Sequence, residues 1–240
     1  RSSRAFQSLR RLCSKTKESE ALTRWNVGGP RADFALSTPG YWDSFYQHQV
    51  KQPNSGDFDW YLRFGRIPLL ISEQLKRIPA GNTVLHIGCG TSSFSSTLSS
   101  HSPALKMVHG DFSYESLRIM KAKHPELDWV QMDARALPFS DEQVSCVIEK
   151  GTMDALLRTG EDDWLTMCRE TLRVLAPGGV FVQMTDEPPE LRLQLLEHLQ
   201  PRWTVSFRSL APEDEGQQAG EGFSMEDEGL FVYRCTKARA

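Results

Sequence analysis

Between Thr83 and Met184 the chain alternates short apolar runs with segments of helical periodicity, and few folds accommodate that rhythm. Thr83–Ile87, Leu105–His109, Asp128–Gln131, Val144–Ile148 and Gly179–Met184 have the length and apolar content of buried strands. Tyr114–Lys123 and Trp164–Leu175 read as helices between them, and Ile67–Ile78 reads as a helix before them, stopped by Pro79 and Gly81. Strands separated by helical crossovers predict a parallel sheet with helices on both faces. Two further strands, Trp203–Leu210 and Leu230–Thr236, should form a hairpin with the last strand antiparallel. The expectation is a doubly wound, mostly parallel seven-stranded α/β sheet with an antiparallel C-terminal strand.

A chain of 240 residues, 39% hydrophobic and 25% charged, suits one such domain with a modest appendage. The Gly- and Pro-containing stretch up to Pro39-Gly40 predicts a division into a leader and linker over residues 1–40 and a domain over residues 41–240. No run approaches the roughly 18 apolar residues of a membrane span, so no membrane embedding is expected. The five cysteines show no paired spacing, which argues against a metal site or a disulfide framework. Residues 1–17 carry Arg1, Arg4, Arg10, Arg11, Lys15 and Lys17 and no acid; since the whole chain has a formal charge of −3, the body is strongly acidic. An acidic body is a poor match to nucleic acid, whose phosphates call for clustered Lys and Arg. The Arg- and Ser-rich, acid-free leader has the composition of a mitochondrial transit peptide, which predicts the mitochondrial matrix.

The first strand runs into Gly88-Cys89-Gly90, a turn in which absent side chains let a ligand approach the backbone. The position of a third dinucleotide-fingerprint glycine is Ser93, so a pyrophosphate is disfavoured. Asp111 ends the second strand, where an acid accepts both hydroxyls of a ribose; its alternative is a helix cap before Phe112-Ser113. Asp133 ends the third strand, placed to accept from an adenine amino group, with Phe112 and Ala134 available to pack on the ring. These strand ends converge on one crevice. The fourth strand ends in Glu149-Lys150-Gly151-Thr152-Met153-Asp154.

The Gly-Cys-Gly turn, Asp-Phe-Ser at 111–113, Met-Asp-Ala at 132–134, Glu-Lys-Gly-Thr-x-Asp at 149–154 and Ala-Pro-Gly-Gly at 176–179 together resemble the seven-strand, Rossmann-like S-adenosylmethionine-dependent methyltransferases of the eukaryotic lysine-methylating branch, over roughly residues 41–236. The resemblance implies S-adenosyl-L-methionine as cofactor and a protein substrate. Thr185–Leu193 and Trp203-Thr204-Val205 look most like the members that methylate mitochondrial citrate synthase, while members that methylate elongation factor 1A share most of the core motifs. It also implies that Trp42, Tyr46 and Trp60 close an aromatic lid over the cofactor and that Lys150 contacts it; hydrophobic packing is the alternative for the rings. His86 stands where many relatives carry an acid, and is expected to pack or hydrogen-bond inside.

Methyl transfer requires the acceptor nitrogen, methyl carbon and sulfur nearly in line, so positioning supplies much of the rate. The acceptor lysine must also lose its proton, which burial favours and a neighbouring carboxylate opposes. Glu149 is therefore expected to orient the amine, with Asp154 as the second catalytic candidate. Should Glu149 instead cap the Gly151-Thr152 turn, the orienting role passes to Asp154 or Asp186. Rival functions are small-molecule methylation and an inactive cofactor-binding interaction module. The acidic segments Glu213-Asp214-Glu215 and Glu226-Asp227-Glu228 read as a solvated hairpin tip.

Overall fold

Strands β1 (Thr83–Ile87), β2 (Lys106–Asp111), β3 (Asp128–Gln131), β4 (Val144–Lys150), β5 (Leu175–Thr185), β6 (Trp203–Leu210) and β7 (Leu230–Lys237) form one sheet in the order β3-β2-β1-β4-β5-β7-β6. Pairing from β3 through to β5 is parallel, and β7 is antiparallel to both β5 and β6, as expected from the sequence. This computed structural model describes residues 36–50, 58–61, 69–159, 162–210 and 229–239. The basic leader and the acidic segments at 213–215 and 226–228 lie outside the described residues, as does Cys13.

The helices are α1 (Pro39–Val50), α2 (Leu69–Lys76), α3 (Phe94–His101), α4 (Tyr114–Lys123), α5 (Thr152–Leu157), α6 (Asp163–Val174) and α7 (Pro189–Leu196), the last followed by a 3-10 turn at Glu197–Leu199. Helices α5 and α7 were not legible as periodic segments, because six and eight residues give too few turns for a recurring apolar face. The body also starts before residue 41: α1 begins at Pro39, and Leu36 is buried against the cavity described below.

Strand parity divides the core in two. Leu85, Ile87, Val147 and Phe181 point to one face, where α6 supplies Trp164, Met167, Cys168 and Leu172 at helical spacing. Val84, Cys146, Ile148, Val180 and Val182 point to the other, against Ile71 and Leu75 of α2 and Phe94 and Leu98 of α3. On the first face Trp203 is fully buried, stacks on Phe181 and donates its indole N–H to the Leu196 carbonyl at 2.7 Å, which ties the β6 edge to the end of α7. Strand β5 is longer than expected: Leu175 already pairs with Val144, and a register shift between Val144 and Cys146 absorbs the Ala176–Gly179 turn. Among the described residues no helix is long and apolar enough to cross a membrane, and no cluster of His, Cys, Asp and Glu is placed to hold a metal.

Candidate active site

Strand order reverses between β1 and β4, and the carboxyl ends of β2, β1 and β4 open there onto one cavity of about 760 Å³, solvent mouth included. Trp42, Tyr46, Trp60, Gly88, Gly90, Asp111, Phe112, Asp133, Ala134 and Lys150 all line it; Glu149 and Asp154 do not.

The two turn glycines are required by neighbouring side chains. Gly88 has φ +60, and a methyl group there would collide with the Thr152 side chain at the start of α5. Gly90 has φ +52, and a methyl group would lie 2.6 Å from the Tyr46 hydroxyl. The turn thus fits itself to the motif after β4 and to α1.

Asp111 is buried. Its carboxylate accepts the Gly90 N–H at 2.8 Å and the Ser113 N–H at 2.9 Å, and burial pushes its pKa up to about 6 against the pull of those donors. The cap of α4 is Ser113, whose hydroxyl oxygen accepts the Ser116 N–H, so Asp111 shapes the turn before that helix. The carboxylate has more lone pairs than these backbone donors occupy, which leaves acceptor capacity for a ligand. Asp133 is itself paired: Arg135 forks onto its carboxylate at 2.7–3.1 Å and also reaches Asp163, and although burial raises the Asp133 pKa, these bonds hold it below the usual carboxylate range. Phe112, Met132 and Ala134 supply the apolar wall beside it.

The aromatic rings of α1 and of residues 58 and 60 form one continuous tier. Trp42 stacks on Tyr46 and meets Trp60 edge-on, and Phe58 joins Phe45 to Trp60. Asp43 anchors α1 by accepting the Ser113 hydroxyl at 2.6 Å and the Glu115 N–H at 3.1 Å. A second anchor is Lys150, whose ammonium pairs with Asp59 and donates to the Trp60 carbonyl at 2.7 Å, while Asp59 also accepts the Ser92 hydroxyl at 2.7 Å. Burial lowers the Lys150 pKa, and Asp59 offsets part of the effect. No sequence signal named Phe58 or Asp59, because neither belongs to a strand-end motif. His86 behaves as expected of a packed residue: buried, within 3.3 Å of His109 Nδ1 and 3.2 Å of the Ser95 hydroxyl, its pKa is pushed down by burial and by the neighbouring charges of His109 and Lys150.

Glu149 requires a correction. Parity sends it to the face opposite Lys150, where it is fully buried. It accepts the Thr152 N–H at 2.7 Å and the Met153 N–H at 3.4 Å, and receives the side-chain N–H of Gln183, its register partner on β5. Burial, then the charge of Asp154, pushes its pKa up to about 7. Glu149 therefore caps α5, the alternative anticipated for it. Asp154 lies one helical turn on, where it accepts the Tyr61 hydroxyl at 3.0 Å and pairs with Arg192. Tyr61 itself packs at Gly151 on the cavity wall, and the Asp186 carboxyl is raised first by burial and then by Asp154. Tyr61, Asp154, Asp186 and Arg192 thus form a polar cluster that meets the cavity wall where Tyr61 packs at Gly151.

A family model described as a methyltransferase domain matches residues 84–179. The human mitochondrial citrate synthase-lysine N-methyltransferase is 32% identical over 207 residues, covering 77% of this chain and 85% of its own length. The chain belongs to the S-adenosylmethionine-dependent protein-lysine methyltransferases. The EEF1A lysine methyltransferase 4 of mouse is 29% identical, over 75% of this methyltransferase and 72% of its own length. Among solved structures, a TehB-like methyltransferase from Corynebacterium glutamicum superposes with a TM-score of 0.55 at 16% identity, over 83% of this chain and 100% of its own. A [4+2]-cyclase, SpnF, superposes at 0.60 and 15% identity, over 85% and 97%, so the fold alone does not name the reaction.

The cofactor of the methyltransferase is S-adenosyl-L-methionine, and the cavity fits it chemically. A buried carboxylate with spare acceptor sites suits a diol, an apolar wall suits a base, and a tier of aromatic faces suits a sulfonium.

Proposed function

We propose that this methyltransferase acts on a lysine of citrate synthase in the mitochondrial matrix. The observation that carries the reading is the 32% identity to the human mitochondrial citrate synthase-lysine N-methyltransferase. The basic, acid-free leader agrees with the compartment.

In this reading Asp111 receives the ribose hydroxyls, Phe112, Met132 and Ala134 flank the adenine, and Asp133 accepts from its amino group beside the Arg135 fork. Gly88 and Gly90 let the turn follow the cofactor, and Trp42, Tyr46 and Trp60 exclude water from it. When bound, the cofactor supplies a methyl group on a sulfonium whose sulfur leaves as a neutral thioether. Lys150 tethers the 58–61 segment over the site, and its charge is available to a carboxylate of the ligand. The acceptor lysine enters beside Tyr61 and Gly151, where Asp154 and Asp186 orient its amine. Glu149 holds α5, and with it Asp154, in place.

A second substrate, elongation factor 1A, is favoured by the similar identity to the mouse enzyme. Incubation with labelled cofactor and each purified protein, followed by mass spectrometry, decides between them. Lysine methylation of citrate synthase and not of elongation factor 1A is the expected result. The reverse pattern removes the proposed substrate, and a reporter fused to residues 1–40 that stays cytosolic removes the compartment.

A further inference from the structure

Arg192 is the one guanidinium among the described residues that is fully buried, and it is only partly satisfied. One terminal nitrogen meets Asp154 and, at 3.3 Å, the Thr185 hydroxyl, while Nε and Nη1 have no hydrogen-bond partner. Burying a charge without saturating it is costly, and a helix anchor of this kind could be apolar instead. Other groups that act on Arg192 or feel it come from every side: Glu149 from β4, Glu187 after β5, Tyr233 from β7, Cys168 from α6 and Tyr61 from the lid. Asp186 adds a carboxyl near Asp154, and Arg158 acts on Asp186 from outside. The cluster is thus rich in carboxyls, and Arg192 is its buried counter-charge.

That matters for the acceptor. A lysine that arrives as an ammonium must give a proton to solvent before its lone pair can form the N–C bond while the C–S electron pair returns to sulfur. Carboxylates beside the amine favour the ammonium and oppose this step. Resting on the acceptor site assigned above, we propose that Arg192 is a positioning residue that lets Asp154 orient the acceptor amine without stabilising its ammonium form. The Asp154–Arg192 pair offers an aimed acceptor oxygen with almost no net charge.

The test is the pH profile of kcat at saturating citrate synthase, with elongation factor 1A in parallel, because kcat reports the ionisations of the bound complex. Arg192→Met leaves the carboxyls uncompensated and is expected to move the acid limb upward by about one pH unit, the low end for a neighbouring charge. Arg192→Lys should restore most of the wild-type limb. Asp154→Asn removes the negative partner and should move the limb downward while kcat falls, which keeps the proposal testable if Arg192→Met does not fold. Binding of a cofactor analogue with an amine in place of the transferable methyl, compared with S-adenosylhomocysteine by calorimetry, needs no protein substrate. Its relative affinity should rise about tenfold in Arg192→Met at pH 8, the same one-unit change. Limbs that stay at the wild-type position in folded Arg192→Met and Asp154→Asn, or an unchanged affinity ratio, overturn the proposal. Absence of transfer to either protein, with a shifted ratio, overturns only the substrate.

Discussion

Replacing Asp111 by Asn separates the carboxylate's work on the turn from its work on the ligand. In the wild type its two oxygens serve two buried backbone donors, the N–H groups of Gly90 and Ser113. Asn has one such oxygen, so one N–H is left facing an amide nitrogen, at a cost of about 1–3 kcal/mol. The same substitution removes a buried charge. The lift of Asp111 from 3.8 to about 6 corresponds to about 3 kcal/mol of preference for the neutral form once both states are ionised. At pH 8 the two effects nearly cancel, and Tm should change by only a few degrees. Asp111→Ala gains the same relief but orphans both donors, at about 2–6 kcal/mol, so it should be the less stable of the two variants and is the poorer probe of binding.

Cofactor affinity should behave differently. Ribose hydroxyls donate to an ionised carboxylate with charge-assisted strength, so Asp111→Asn should weaken binding at pH 8 by about 1.5–3 kcal/mol, roughly 10- to 100-fold. The sign of the pH dependence follows from the raised pKa. Above about 6 the wild-type carboxylate is ionised and binds fully; as pH falls through 6 it takes up a proton and affinity drops, whereas the Asn variant has no such step. Calorimetric titration of S-adenosylmethionine at pH 5, 6, 7 and 8 reads both effects. Wild-type affinity at pH 8 in a folded Asp111→Asn protein, or a wild-type affinity flat from pH 5 to 8, would refute the ligand role.

Glu149→Gln should retain activity within a few-fold, because the Gln183 amide can turn its unpartnered Oε1 toward the new N–H₂; a loss of about 100-fold with the fold intact would return Glu149 to the chemistry. Since the folded pKa of about 7 lies above the ordinary 4.5, the proton on Glu149 stabilises the wild type at low pH and that contribution is lost as pH rises through 7. Urea melts should accordingly show the Gln variant gaining on the wild type between pH 5 and 8, and parallel pH curves would remove the buried-proton account. Lys150→Met should free the 58–61 segment from β4, read as faster proteolysis after residue 58 and weaker cofactor binding. Unchanged cleavage and affinity would mean the aromatic contacts hold the lid unaided.

Local pattern was enough for the sheet. Strand period, helical period and the Gly-x-Gly turn are properties of neighbours in sequence, so the parallel strands, the antiparallel end and the crevice at the strand ends could be read from residues 83–236 alone. The motif acids Asp111 and Asp133 sit at strand ends for the same reason. The partners of those side chains could not be read, since they depend on which face each residue takes and what packs there. Adjacent Glu149 and Lys150 part company by strand parity: one is sealed under α5 by Gln183, 34 residues away, and the other is joined to Asp59, 91 residues away. Arg192 lies in a short helix with no readable period, and only the tertiary placement of α7, which packs beside β6, brings it to Asp154. Chain periodicity therefore determined where the strand ends meet, and tertiary packing alone decided the partner of each carboxylate there, because a buried charge takes its partner from whatever element the fold lays across it.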